Sequence, residues 1–311
     1  MPYLSRRGSV RLPAMQMFKG SWPASWSTAR GWFGGVVLLV LALSMPLPAQ
    51  AAEGPVRIAL TAAAVRDELP FYDRWAAYLG RKLGRPVEFV QRRSYRDIIE
   101  MLRTGELDFS WVCSYSFVQA LDAGLVDLVA TPIFRGKPLY QSYIIVPRDS
   151  PTTDLMQLEG KSFAYTDPDS NTGYIVPRAM LRDGGRNPER FFRTVFFTWD
   201  HGQAIEAVAD KVADGAAVDS YVWEYLAAQR PRLAERTRII QRSEEFSFPP
   251  MVARRGVDPD LRKRFSDAIL SMAADAEGRR LLGEMMLDGF VALPASSYDK
   301  VRALPTALPL R

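Results

Sequence analysis

Ser162-Phe163-Ala164-Tyr165, then Thr166-Asp167-Pro168-Asp169-Ser170-Asn171-Thr172-Gly173-Tyr174, then Ile175-Val176-Pro177-Arg178-Ala179-Met180-Leu181 reads as a strand, a tight polar turn and a helix. The first run is short and apolar, and the last can wind as a helix. Hydroxyls and unpaired backbone N–H groups gather at a helix N-terminus, where the dipole favours negative charge. The turn is therefore a ready anion site. It also suits an ordinary cap, with Ser170 or Thr172 satisfying its own helix.

Working outward, the same strand–turn–helix form recurs. Strands are expected at 56–60, 86–90, 107–112 and 125–131, with helices at 69–83, 95–102 and 117–123 between them. Phe71, Trp75, Tyr78 and Leu79 fall at helical spacing, Gly84 ends that helix, and Ser94 caps the next. After a long β-type run at 140–146 the alternation restarts, with strands at 162–165, 193–198, 215–218 and 238–240. Asp200-His201 opens a helix through Ala209, another runs over 220–229, and Asp258 caps one over 261–274. Such alternation predicts an α/β fold with mainly parallel sheets. Two α/β blocks, 56–146 and 150–250, are followed by a helical tail that returns to the first. The expected organisation is a signal peptide over 1–51, one lobe from 52–147 and 253–311, and a second from 148–252. The chain would cross near 146–149 and 252–255, hinging two α/β lobes around a ligand cleft.

The N-terminal segment carries Arg6, Arg7, Arg11, Lys19 and Arg30 and no acid. An apolar run over 34–43 follows, then Pro46-Leu47-Pro48 and Ala49-Gln50-Ala51, a small-x-small pattern that predicts export and cleavage after Ala51. The 40 basic residues less these five leave 35 against 35 acidic, so the high pI belongs to the leader. It implies no nucleic-acid partner, and no later stretch predicts membrane insertion. A soluble periplasmic protein is expected. One cysteine, Cys113, excludes an intrachain disulfide, and one histidine, His201, excludes a multi-histidine metal site. No catalytic constellation, Walker pattern or dinucleotide glycine pattern appears, so neither an enzyme nor a cofactor is expected.

Three turns share one form: Cys113-Ser114-Tyr115-Ser116, Ser170-Asn171-Thr172-Gly173 and Asp200-His201. At one edge of facing lobes, three helix N-termini would converge on a small oxyanion. Cys113, beside such a terminus, is expected to lean toward thiolate; it also suits a small buried hydrophobe.

Seven segments, in order, carry a resemblance: Leu83-Gly84-Arg85-Pro86-Val87, Gly105-Glu106-Leu107-Asp108-Phe109, Tyr140-Gln141-Ser142, Leu158-Glu159-Gly160-Lys161, the 166–173 turn, His201 with its helix, and Val218-Asp219-Ser220. The chain resembles the phosphate/phosphite/phosphonate-binding proteins of ABC transporters. This implies a type II periplasmic binding protein fold and a small oxyanion ligand delivered to a permease. It also implies binding roles for Tyr95, Ser116, Tyr140, Ser142, Ser170, Thr172, Gly173, His201 and Asp219. Cys113, Ser114 and Asn171 join them from the turns. Asp219 reads either as a helix cap or as an acceptor for a ligand proton or amine. Cys113-Ser114 stands where those transporter proteins usually have Gly-Pro. A cleft cysteine also resembles the arsenite-sensing branch, in which Cys113 would be an arsenite ligand and the partner a sensor histidine kinase. A Cys113–His201 hydrolase is the remote alternative.

Overall fold

The computed structural model describes residues 54–60 and 69–304. The expected signal peptide, its cleavage site, the 61–68 loop and the last seven residues lie outside the described residues. The described chain begins with β1 (Val56–Leu60), α1 (Leu69–Leu83), β2 (Val87–Gln91), α2 (Tyr95–Thr104), β3 (Phe109–Trp111), α3 (Ser114–Asp122) and β4 (Val126–Ile133). It continues through β5 (Leu139–Tyr140), β6 (Ser142–Pro147), β7 (Ser162–Tyr165), α4 (Val176–Asp183), β8 (Thr194–Phe197), α5 (His201–Ala209), β9 (Gly215–Asp219), α6 (Ser220–Gln229) and α7 (Pro231–Ala234). Last come β10 (Thr237–Arg242), β11 (Phe246–Ser247), β12 (Met251–Arg254), α8 (Pro259–Leu270), α9 (Ala276–Glu284), β13 (Gly289–Val291) and α10 (Asp299–Ala303).

Local chemistry accounts for the ends of these elements. The Ser94 side chain accepts from the Asp97 N–H at 3.1 Å, and Gly105 closes α2 at φ 80°. A cap of this kind stabilises a helix by about 1 kcal/mol. Tyr95, Ile98, Met101 and Leu102 form its buried face, and each large apolar side chain buried adds roughly 1.5–3 kcal/mol. Asp258 caps α8 as the sequence predicts, accepting from Leu261 N–H at 2.8 Å. Phe265 of that helix stacks on Phe109 of β3, with ring centroids 3.8 Å apart.

The strands assemble into a six-stranded sheet, in order β13-β4-β12-β3-β1-β2, and a five-stranded sheet, β10-β6-β9-β7-β8. Here the sequence expectation needs correcting, because both sheets are mixed. β1 runs parallel to β2 and β3, and β7 parallel to β8 and β9. In contrast β12, β13, β6 and β10 enter antiparallel. Parallel neighbours require a crossover helix between them. β6 and β12 arrive along extended passages from the other sheet, so no helix constrains their direction. β13 comes from the tail expected to be helical and pairs with β4.

Those passages are residues 134–141 and 243–250, not 146–149 and 252–255. They pair as a two-stranded ribbon, with β11 antiparallel to β5 (Phe246 opposite Tyr140, Ser247 opposite Leu139). The run 140–146 looks like one strand in sequence, but Gln141 divides it and β6 already belongs to the five-stranded sheet.

Candidate functional site

Four strands, β3, β7, β8 and β9, lead into helix starts that carry polar groups. Cys113 is the N-cap residue of α3, with no side-chain cap bond. The helix begins at Ser114, three residues earlier than its apolar run suggests, so Ser114 and Ser116 lie in its first turn. After β7, Ser170 Oγ accepts from Gly173 N–H at 3.0 Å, opening a π-turn over Asn171–Ile175 ahead of α4. Glycine is required at 173, because a Cβ there would sit 1.8 Å from Thr166 Oγ1. Asp200 caps α5 through Gln203 N–H at 2.9 Å, which makes His201 its first residue. Asp219, at the end of β9, caps α6 through Tyr221 N–H at 2.8 Å.

These starts meet across the two sheets. Asn171 N–H donates to Cys113 Sγ at 3.2 Å, and Ser116 Oγ donates to Asp169 O at 3.1 Å. Asn171 Nδ2 donates to the Tyr140 hydroxyl in the ribbon at 3.1 Å. The Tyr95 hydroxyl stands 3.5 Å from His201 Nε2. All of the sequence-predicted residues in the cluster are buried: Tyr95, Cys113, Ser114, Ser116, Tyr140, Ser142, Ser170, Asn171, Thr172, His201 and Asp219, with Gly173 among them. Arg92 and Arg93 are exposed.

Burial sets the electrostatics of the site. Burial drives the His201 pKa down to about 3, so the ring is uncharged. Its Nδ1 accepts from Asp219 N–H at 3.0 Å, which leaves the proton on Nε2, facing Tyr95. Burial holds the hydroxyls of Tyr95 and Tyr140 well above their ordinary pKa, so both remain donors. Burial raises the Asp219 carboxyl to about 7 against the N–H groups of Tyr221 and Val222, and it raises Asp167 as well. The expectation for Cys113 is overturned. Burial pushes the thiol up to about 11, although the N–H groups of Asn171 and Tyr115 pull the other way. Desolvation by the facing sheet outweighs the helix dipole, so Cys113 is a neutral thiol.

Not every predicted hydroxyl is free to donate. Ser114 Oγ is bonded to Ser247 O at 2.8 Å, Ser116 Oγ to Asp169 O, and Ser142 Oγ to Thr172 O at 2.6 Å. These three brace the turns. In contrast Asn171 Oδ1 and Thr166 Oγ1 are buried without a hydrogen-bond partner among the described residues. Sequence reasoning missed Thr166 and Asp167 as members of the cluster. Asp167 is buried, and its Oδ2 accepts Tyr95 N–H at 3.0 Å. The only local signal was a second aspartate in a turn that needs one.

A family model described as "ABC transporter, phosphonate, periplasmic substrate-binding protein" matches residues 59–298. A phosphonates-binding periplasmic protein of Escherichia coli (strain K12) is 26% identical over 233 residues, spanning 72% of this chain and 68% of that protein. A phosphate-import protein, PhnD, of Mycolicibacterium smegmatis is 27% identical over 165 residues, 49% of this chain and 50% of that one. In fold, the chain is similar to a binding component of an ABC phosphonate transporter from Pseudomonas aeruginosa, with TM-score 0.75, 21% identity and coverage of 81% and 85%. It is also similar to PhnD1 of Prochlorococcus marinus, solved with methylphosphonate, with TM-score 0.73, 18% identity and coverage of 81% and 97%. Among the described residues, no helix is long and apolar enough to cross a membrane. The chain has the type II periplasmic binding protein fold, and it belongs to the family of periplasmic phosphonate-binding proteins of ABC transporters.

Proposed function

We propose that this chain is an exported receptor that closes over a small phosphorus oxyanion and presents it to an ABC-transporter permease. Phosphate, phosphite and the phosphonates make up the ligand class. The two sheets act as lobes that move about the β5–β11 ribbon. The observation that carries this reading is the pair formed by the Tyr95 hydroxyl and His201 Nε2–H, 3.5 Å apart and supplied from opposite sheets. Both are uncharged donors in a water-poor site, where hydrogen bonds to an anion are strong. Thr172, the Asn171 amide, Ser170, Gly173 and Tyr140 complete the wall, and Ser114, Ser116 and Ser142 hold it in place. Asp219 serves as an acceptor for a ligand O–H or ammonium, which disfavours a bare dianion.

Titration calorimetry with phosphate, phosphite and methylphosphonate tests the proposal. A ligand at about 100 times its Kd adds roughly 2.7 kcal/mol of stability, which a melting curve resolves. Binding of at least one of the three, weakened in His201→Ala, is the expected result. Absence of binding by all three in the intact protein overturns it.

The arsenite-sensor alternative gains no support here, because its premise was a low-pKa thiol and Cys113 is held neutral. The hydrolase alternative fares no better. His201 is engaged by Asp219 N–H and faces Tyr95, and Cys113 sulfur takes the N–H of Asn171.

A further inference from the structure

Helix α2 has a cap in two parts, and the second part comes from the other sheet. Its own Ser94 side chain takes the N–H of Asp97. The N–H of Tyr95, the first residue of the helix, is taken by Asp167 Oδ2, 72 residues away. Asp167 is held for this task, because its Oδ1 accepts Asp169 N–H at 2.7 Å within its own turn. A carboxylate on a helix N-terminal N–H forms a charge-assisted bond aligned with the dipole. Two weaker contacts flank it. Ser116 Oγ donates to Asp169 O, and the Arg96 guanidinium lies 3.4 Å from the Asp169 carboxylate. Tyr95, Arg96 and Ser116 sit on helices that join strands of the six-stranded sheet, whereas 167–169 follow β7 of the five-stranded sheet.

We infer that Asp167 is a closure latch: an internal carboxylate from one sheet that completes the helix cap of the other and is pulled off whenever the two sheets part. It is a positioning residue. By setting the balance between closed and open forms, it sets affinity for any ligand that binds the closed form, and by one common factor. This rests on the two-lobe binding function proposed above, but the latch itself can be tested without a ligand.

Cys113 supplies the probe. It is the only cysteine of the chain, it is buried, and its sulfur is covered by the N–H of Asn171 across the gap. Opening strips that cover, so the rate of maleimide labelling reports the open population. Asp167→Asn and Asp167→Ala are compared with wild type in ligand-free buffer, and then for Kd with phosphate, phosphite and methylphosphonate. Losing a hydrogen bond to a charged group shifts an equilibrium by about tenfold. Labelling should quicken by about that factor in Asp167→Ala, which removes the acceptor for Tyr95 N–H, and by less in Asp167→Asn, which keeps an oxygen but not the charge. Every measurable Kd should weaken by a matching factor. Unchanged labelling in both variants overturns the latch, including the case where melting temperature falls, since that marks a purely structural residue. Kd changes that differ between ligands while labelling stays constant also overturn it, because they mark a direct ligand contact. Should none of the three ligands bind, the binding proposal fails while the labelling result still decides the latch.

Discussion

Replacing Asp219 by Asn, and separately His201 by Gln, should expose two opposed pH dependences that offset each other in the wild type. Asp219 goes from its ordinary 3.8 in the unfolded chain to about 7 in the fold. Between those values the folded state holds a proton that the unfolded state has released. Its favourable contribution is therefore complete below 3.8 and is lost as pH rises through 7. His201 goes the other way, from 6.5 to about 3. Between those values the unfolded chain binds a proton that the folded chain excludes, so its contribution is complete above 6.5 and is lost as pH falls through 3. Each unit of pH between the paired values is worth about 1.4 kcal/mol. From about pH 4.5 to about pH 6.5, the stability of Asp219→Asn relative to wild type should rise by roughly 3 kcal/mol, and that of His201→Gln should fall by about as much. Taking differences from wild type removes the titration of every other group. Asparagine keeps an acceptor for Tyr221 N–H, so the α6 cap survives. Urea unfolding at four or five pH values measures both differences. If the two differences are flat over that window, neither group is perturbed as the burial argument requires, and the neutral-donor account of His201 fails with them.

Gly173→Ala should cost on the order of 1–3 kcal/mol in urea unfolding, because the new Cβ overpacks against Thr166; adding Thr166→Ala should recover part of that loss. Tyr95→Phe removes one donor from the site, so calorimetry should find Kd weakened by about tenfold with little change in melting temperature. Cys113→Ser keeps an acceptor for Asn171 N–H, and oxyanion Kd should stay within about threefold of wild type. A loss of about a hundredfold there would return the thiol to the list of ligand contacts.

Local features were legible in the sequence wherever their cause lies within a few residues. The caps at Ser94, Asp200 and Asp258 were readable, as was the helix-ending Gly84, which takes φ 70°. Side-chain spacing marked β1, α1 and β7, and the 166–174 turn was recognisable from its own hydroxyls and glycine. The contact between the 113–116 and 166–173 turns accords with strand–helix alternation, since such turns share one edge of a sheet. The direction of β6 and β12 did not follow, because each enters from the other sheet without a crossover helix to dictate it. The protons of Ser114, Ser116 and Ser142 were also out of reach, since the carbonyls that take them lie 133, 53 and 30 residues away.

The sequence by itself determined that strands would lead into polar helix starts at 113–116, 170–173 and 200–201, because capping and periodicity act over one turn of chain. Only the tertiary structure decided what those groups became. A helix N-terminus lowers a thiol's pKa locally, yet the facing sheet removes water from Cys113 and raises it to about 11. The same packing neutralises His201 and aims its one proton at Tyr95. It also seats Asp167 on the opposite helix. Charge state depends on solvent, and solvent is excluded by segments that are neighbours in space and distant in sequence.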